Sequence, residues 1–197
     1  MTTAIGIFVF PGVEELDFVG PWEVLRAWER TESADVGVSV FTLAVEPGPL
    51  QCAKGLTVTA DHTWTTAPPI DVLVYPGGFG TRAHLGNDDV RAWVRGLAVK
   101  GTLMTSVCTG SLVYADAGLL DGRPATTHWG SLNHLAQLGR DIEVRPDDRY
   151  VDDGNIITAA GVSAGIDMAL HLVRRLASEE RARQVKRYIQ YDPQPPV

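Results

Sequence analysis

The sequence predicts a three-layer α/β sandwich with a mostly parallel sheet, and two kinds of segment support that prediction. Short apolar runs, as at residues 4–10 and 71–75, have the composition of strands buried on both faces. Segments with a helical spacing of apolar residues, such as 88–99, separate these runs. Strands that alternate with helices favour a parallel sheet covered by helices on both faces. A chain of 197 residues is long enough for one such unit, so we expect residues 1–197 to form a single domain.

The first half of the chain is expected to supply the first strands of this sheet. The predicted elements are a strand over 4–10, a helix that begins at Gly20-Pro21, a strand over 36–45, an edge hairpin within 50–60 and a strand over 71–75. Proline is favoured in the first turn of a helix, which is why Pro21 marks the predicted start. The glycine-rich segment 76–80 would let backbone N–H groups approach a ligand.

The second half continues the same alternation of strands and helices. The predicted elements are a helix over 88–99, a strand leading from Gly101 to Cys108, a helix over 112–117, a strand over 123–128, a helix over 129–138, a hairpin over 150–158, a long helix through 168–176 and a last helix over 179–188. The dipeptide Asp153-Gly154, typical of tight turns, indicates the hairpin.

Cys108 lies between a predicted strand and a predicted helix, where a nucleophile elbow presents its side chain. Such a turn is sharp, and the small residues Gly110 and Ser111 suit it. The N–H groups at the start of the helix would favour the thiolate, which is the reactive form of a cysteine. A buried structural cysteine is the alternative, since free cysteines are among the most buried residues. The strand–turn–helix context favours the nucleophile.

Two further strand ends carry groups that could act with this cysteine. Asp17 follows the first strand, and Gly77-Gly78 follow the strand over 71–75. Functional groups of parallel sheets gather beyond the carboxyl ends of the strands, so we expect these groups near Cys108. A thiol, a carboxyl group and backbone N–H donors are the parts of a covalent hydrolytic or hydration site. The simpler alternatives are a helix-entry residue for Asp17 and a tight turn for the two glycines.

Composition and charge argue against several classes of function. The net charge of −7, without a basic cluster, argues against a nucleic-acid partner. No apolar run approaches the roughly 18 residues of a membrane span, and residues 1–5 lack the basic segment of a signal peptide, so we expect a cytoplasmic protein without a membrane partner. Cys52 and Cys108 make no disulfide framework, and Cys52 is expected to be inert packing. The scattered histidines do not have metal-ligand spacing, so we expect no metal.

Several segments together resemble the ThiJ/PfpI superfamily, which is related to the class I glutamine amidotransferases. They are residues 107–111, 117–123, 125–129, 10–11, 16–17, 20–21, 76–78 and 164–167. Within the superfamily the sequence is most similar to the isonitrile (isocyanide) hydratases, and the likeness covers nearly the whole chain. The ligand-sensing domains of some AraC-type transcription regulators carry much the same cysteine and Thr-Thr-His-Trp segments.

The resemblance implies a homodimer with a flavodoxin-like core, a small-molecule substrate and no metal or organic cofactor. It places Cys108 as the nucleophile beside Asp17, with Thr109 as a further catalytic residue and the N–H groups at Gly77 and Gly78 on the substrate or its developing charge. Superfamily proteases carry a histidine directly after the cysteine or further downstream. Thr109 follows Cys108 in this chain, which argues against a peptidase.

Two residues are candidates for supporting roles, and one carboxyl group is expected to titrate abnormally. His128 lies near the cysteine in related folds and could transfer a proton, although a structural role is the simpler interpretation. Val162 is expected to pack near Cys108. The Asp17 carboxyl, close to a thiolate in an apolar pocket, should have a raised pKa that lets it donate a hydrogen bond.

Three hypotheses about function follow from the residues and the resemblance. The first is an isonitrile hydratase, a lyase in which Cys108 forms a thioimidate and Asp17 supplies a proton, so that the product is an N-substituted formamide. The second is a thiol or small-molecule sensor, since an accessible cysteine of low pKa is also oxidised readily. The third is a glyoxalase-like enzyme that uses the same thiol and carboxyl group on an α-oxoaldehyde.

Overall fold

The computed structural model describes residues 2–31 and 37–194, and a seven-stranded sheet forms its centre. The strands are β1 (Thr3–Phe8), β2 (Val38–Ala44), β3 (Pro49–Gln51), β4 (Thr57–Thr59), β5 (His62–Thr63), β6 (Val72–Tyr75), β7 (Leu103–Val107), β8 (Pro124–Ala125), β9 (Glu143–Val144), β10 (Tyr150–Asp152) and β11 (Ile156–Ala159). The central sheet has the order β10-β11-β7-β6-β1-β2-β5, and only the β10–β11 pair in it is antiparallel. The predicted mostly parallel sheet is therefore confirmed.

Helices flank this sheet and complete the three predicted layers. They are α1 (Glu15–Thr31), α2 (Asp88–Val99), α3 (Gly110–Asp116), α4 (Leu132–Leu138), α5 (Ala164–Leu176) and α6 (Glu179–Tyr188). Helices α1, α5 and α6 pack against one another, and α3 packs against both α2 and α4. All four residues of β6 and of β11 are buried, as the continuous apolar runs of central strands require. No helix among the described residues is both long and apolar enough to cross a membrane.

The start of α1 differs from the prediction. The helix begins at Glu15, so Pro21 lies inside it rather than in its first turn. Glu15 and Asp17 place negative charge in the first turn, where the helix dipole favours it. Gly20 and Pro21 are instead a contact with α5, because a Cβ added at Gly20 would lie 3.0 Å from Ile166 Cγ1. The predicted helix start at Pro21 was wrong, because the sequence does not distinguish a proline in the first turn of a helix from one at a contact between two helices.

The strand predicted over 123–128 is much shorter in the structure. Only Pro124–Ala125 is extended, and it pairs with β9 in a separate two-stranded sheet. Pro124 has no N–H group to donate to a ladder, and the N–H of Thr126 donates to the side chain of Thr158 instead. The helix predicted over 129–138 begins with a 3₁₀ turn at Trp129–Ser131 and continues as α4.

The remaining elements follow the prediction closely. Helices α2 and α6 have the predicted bounds, and β10 and β11 form the predicted hairpin with Gly154 at a φ of 77° in its turn. β3 and β4 form the hairpin expected within 50–60, but as a separate sheet, while the short β5 is the edge strand next to β2. β2 begins at Val38, and residue 36 lies outside the described residues.

Candidate functional site

Cys108 occupies a sharp turn between β7 and α3, in the geometry of a nucleophile elbow. Its φ is 56°, in the left-handed region that few residues other than glycine adopt. The surrounding structure holds this strained backbone from both sides. The N–H of Cys108 lies 3.1 Å from the carbonyl oxygens of both Ala159 and Ala160, and its own carbonyl accepts from Thr127 Oγ1 at 2.8 Å and Ser111 Oγ at 3.1 Å.

Gly110, two residues after Cys108, allows α3 to approach the end of β6. A Cβ at Gly110 would lie 2.1 Å from the carbonyl oxygen of Tyr75, so only glycine fits there. This close approach places Gly77, two residues beyond β6, beside Thr109. A Cβ at Gly77 would lie 2.5 Å from Thr109 N and 2.9 Å from Asp17 Oδ2. Three chain segments thus meet at one point, as the positions of the strand ends predict.

Asp17 reaches this point from the first turn of α1, and its side chain is fully buried. Its Oδ2 atom accepts a hydrogen bond from the N–H of Gly77 at 2.9 Å. Its other oxygen, Oδ1, is buried and has no partner with hydrogen-bond geometry among the described residues. A buried polar atom without a partner is costly unless it carries a proton or meets a ligand. Oδ1 is therefore the atom of Asp17 best placed to hold and donate a proton.

Burial dominates the titration of both acids in the site. It raises the pKa of Asp17 to about 7, against the lowering effects of the Gly77 N–H and the Cys108 side chain. It also raises the pKa of Cys108 to about 12, and the negative charge of Asp17 adds to that rise, while the N–H groups of Thr109 and Val162 oppose it. The raised pKa of Asp17 agrees in direction with the sequence-based expectation. The pKa of Cys108 differs from the sequence-based expectation of a stabilised thiolate, because burial and the neighbouring Asp17 raise it more than the backbone donors lower it.

The two glycine N–H groups predicted to face a substrate have partners within the protein. The N–H of Gly77 holds Asp17, and the N–H of Gly78 donates to Thr109 Oγ1 at 3.0 Å. The Thr109 hydroxyl also lies 3.2 Å from Thr81 Oγ1, which fixes its orientation. The glycine loop therefore positions the carboxyl and the hydroxyl. The backbone donors at the sulfur are instead those of Thr109 and Val162.

Val162 and His128 line the same cavity as the cysteine. Val162 has a φ of 43°, which is rare for a β-branched residue and orients its N–H toward Cys108. The Nδ1 atom of His128 accepts from the N–H of Gly130 at 3.2 Å, which leaves Nε2 as the ring nitrogen that carries a hydrogen. A Cβ at Gly161 would lie 2.4 Å from His128 Cδ2, so the ring is packed tightly against the chain there.

These groups line an open cavity of ≈ 160 Å³, and Cys108, which is 6% exposed, is one of its lining residues. The cavity is lined by Glu14, Gly78, Phe79, Arg82, Cys108, Thr109, His128, Ser131 and Val162. Sequence reasoning missed Glu14, Phe79, Arg82 and Ser131. No motif marks them, because each comes from a loop or short turn whose direction depends on the folded chain. The arrangement can carry out covalent chemistry on a small electrophile, with a neighbouring acid to move one proton.

Known proteins similar to this chain come from the superfamily that its sequence resembles. The chain is 37% identical over 196 residues to the isonitrile hydratase of Pseudomonas putida, covering 100% of this chain and 82% of that protein. It is 31% identical to the HTH-type transcriptional regulator CdhR of Pseudomonas aeruginosa, covering 94% of this chain and 54% of the regulator.

A solved structure matches the whole fold. The crystal structure of a ThiJ/PfpI family protein from Pseudomonas syringae superposes with a TM-score of 0.88 at 33% identity, covering 100% of this chain and 78% of that one. The model of the DJ-1/PfpI family matches residues 3–175, which include the elbow, the glycine loop and Asp17. The chain therefore belongs to the DJ-1/PfpI family, as the resemblance of its cysteine segment to the ThiJ/PfpI superfamily implies.

Proposed function

We propose that this protein is an isonitrile hydratase, which adds water to R–N≡C to give the formamide R–NH–CHO. The observation that carries the proposal is the buried pair of Asp17 and Cys108, whose side chains interact closely enough to shift each other's pKa. The similarity to the hydratase of Pseudomonas putida supports the same reaction. An isonitrile carbon needs both a nucleophile and a proton, and this pair offers one of each.

The first half of the reaction moves a single proton through Asp17. With the pKa of Asp17 at about 7 and that of Cys108 at about 12, the pair holds one negative charge and one proton at pH values above about 7. As Sγ bonds to the isonitrile carbon, Asp17 accepts the thiol proton and delivers it to the same carbon. The product is a thioimidate, R–N=CH–S–Cys108. The N–H groups of Thr109 and Val162 stabilise the negative charge that develops on sulfur.

The second half of the reaction returns the enzyme to its resting state. Asp17 takes a proton from water as the water oxygen bonds to the thioimidate carbon. The carbon–sulfur bond then breaks, and the sulfur regains a proton from Asp17. The released R–N=CH–OH rearranges to R–NH–CHO, so one water is consumed and the thiol is restored. The chain's own residues supply every proton transfer up to the release of the product.

A small-molecule sensor is the second candidate, because the chain is similar to the regulator CdhR over 94% of its length. That relative carries about as much sequence again, since the matched part is 54% of it. The raised pKa of Cys108 argues against a sensor that works by thiolate oxidation. A sensor that binds a ligand without reacting would use the same cavity.

The proposal is tested by incubating the purified protein with several alkyl isonitriles and following formamide absorbance, with methylglyoxal in parallel. We expect isonitrile turnover, and a Cys108 adduct equal in mass to the added isonitrile when the reaction is quenched early. Turnover of methylglyoxal alone would support the glyoxalase-like alternative. Turnover of neither compound, with saturable binding of an isonitrile, would support the sensor.

A further inference from the structure

The cavity above Cys108 has a cation at its rim that the proposed catalytic steps do not use. Arg82 lies in the 3₁₀ turn Phe79–Ala83, and its Nη1 donates to the carbonyl of Gly78 at 3.0 Å and to Thr81 Oγ1 at 3.1 Å. Its Cζ atom lies 5.3 Å from the centre of the Phe79 ring. These contacts hold the Nη1 side of the exposed Arg82 side chain, and among the described residues no acceptor lies within hydrogen-bond distance of its Nε or Nη2. Within residues 2–31 and 37–194, no carboxylate forms an ion pair with Arg82.

The other charged and polar groups that line the cavity offer more free hydrogen-bond donors than free acceptors. The carboxylate of Glu14 lines the cavity, but it forms an ion pair with Lys54, so its charge is already balanced. His128 uses Nδ1 as an acceptor within the protein and keeps its ring N–H as a donor. The Ser131 hydroxyl is a further polar group on the wall. Arg82 and His128 both line the cavity, and a guanidinium and an imidazole N–H beside one cavity suit a ligand that brings an anionic acceptor.

We infer that this cavity binds a ligand with a carboxylate group, and that Arg82 determines that specificity. For the nature of the reacting group the inference rests on the proposed function, and the substrate class is then an isonitrile that carries a carboxylate. Arg82 and Cys108 both line this one cavity, so a ligand that contacts both needs only a short spacer between its two groups. Isocyanoacetate, in which one carbon separates them, has this form.

The first test uses alkylation of Cys108 and does not depend on isonitrile chemistry. In a Cys52→Ser background, the rate constants for iodoacetate and iodoacetamide are measured at one pH, and their ratio reports the preference for an anion. We expect Arg82→Met to lower that ratio roughly tenfold or more, the scale of a hydrogen-bonded charge pair, and Arg82→Lys to lower it less. Arg183→Met, on the exposed face of α6, removes the same net charge and should leave the ratio unchanged.

The second test uses the proposed substrates. For the wild-type protein and Arg82→Met, kcat/KM is compared between isocyanoacetate and isocyanoacetamide, which is close in shape but neutral. We expect the wild-type protein to favour the anion and the variant to lose roughly tenfold or more of that preference. The ratio of two substrates on one protein corrects for any general loss of activity in the variant.

The two tests separate failure of this inference from failure of the proposed function. If both ratios are the same in the wild-type protein and in Arg82→Met, the inference is wrong and Arg82 only supports the Gly78 turn. That result would leave isonitrile turnover standing. If neither isonitrile is hydrated but the alkylation ratio depends on Arg82, the anion site is supported and the proposed reaction is wrong.

Discussion

At the scale of single residues, Asp17 and Cys108 have to be treated as one titrating unit. Both side chains are buried. The charge of Asp17 raises the pKa of Cys108, and the Cys108 side chain lowers the pKa of Asp17. Between about pH 7 and pH 12 the two groups together hold one proton. The form with a thiol and a carboxylate and the form with a thiolate and a carboxylic acid have the same net charge. The backbone donors of Thr109 and Val162 narrow the energy gap between these forms.

Replacing the nucleophile tests whether the reaction is covalent. We expect Cys108→Ser to keep the fold, because serine is close in size, but to lower isonitrile turnover by roughly 10³-fold or more, since the hydroxyl is a far weaker nucleophile. Cys52→Ser is the matched control, because Cys52 is also buried, at 4% exposure, and does not line the cavity. Formamide production at the wild-type rate by Cys108→Ser would rule out the thioimidate.

The buried carboxyl group of Asp17 makes stability depend on pH in a defined direction. Its pKa in the folded state is about 7 and its ordinary value is 3.8, so the folded state binds the proton more tightly than the unfolded state. Tighter proton binding by Asp17 in the folded state adds to the free energy of unfolding. This contribution is complete below pH 3.8 and is lost as the pH rises to about 7. We expect Asp17→Asn to be more stable than the wild-type protein at pH 8 by an amount on the order of a few kcal/mol, with the difference shrinking toward pH 4. Urea unfolding of both proteins at several pH values measures it, and a constant difference would contradict the raised pKa.

The same substitution separates the two functions of the carboxyl group. Asn keeps the shape of Asp17 but has no transferable proton, so turnover should fall by roughly 10²-fold or more. The step that ionisation of Asp17 gives the alkylation profile near pH 7 should be absent in this variant. Only the ionisation of Cys108 itself should remain, at a pH lowered by loss of the neighbouring negative charge. Steady-state hydration and the pH profile of iodoacetamide alkylation measure the two effects. Wild-type turnover in Asp17→Asn would mean that Asp17 is only a helix-entry residue.

At the scale of elements, the chain is predictable where local pattern and tertiary contact agree. The helix at Asp88–Val99 and the β10–β11 hairpin are specified by apolar spacing and by a turn dipeptide. Pro21 misled the prediction because its role is a contact with α5, which sequence spacing does not report. The elbow and Asp17 could be placed from strand ends, since parallel strands bring those ends together. Arg82 could not, because its position depends on a short turn that closes only in the folded chain.

The glycine loop shows how one element assembles the site, and Gly77 is the position to test. A Cβ there would lie 2.5 Å from Thr109 N and 2.9 Å from Asp17 Oδ2, so Gly77→Ala must displace the groups that carry the reaction. We expect turnover to fall by roughly 10²-fold, as misplacement by about 1 Å does in other sites. In Gly96→Ala, within α2, the new Cβ meets nothing within 4 Å, so activity should be unchanged and stability should rise by about 0.4–1 kcal/mol. Equal activity in the two variants would show that the loop is not a positioning element.

At the scale of the whole molecule, an apolar surface lies next to the site. Leu16 and Val19, at 38% and 37% exposure, flank Asp17 on α1, and Phe79, at 83%, stands at the cavity. Trp129, at 78% exposure, follows His128, which lines the same cavity. Large apolar side chains gathered beside one site are typical of a surface that another protein covers. A second copy of this chain is the partner that we propose.

Sedimentation tests that proposal, because a symmetric pair would bring the α1 surfaces of two chains together. We expect the protein to be a dimer at micromolar concentration, and Val19→Asp to weaken association by roughly tenfold or more, since it places an unpaired charge in an apolar contact. Val99→Asp is the matched control, because Val99 is 88% exposed at the end of α2 and lies outside the cavity lining. If both variants weaken the dimer equally, the contact lies elsewhere and the charge acts only through the net repulsion of an already acidic chain. If the wild-type protein sediments as a monomer at concentrations where it turns over substrate, the site is complete within one chain and the apolar residues around it serve the substrate instead.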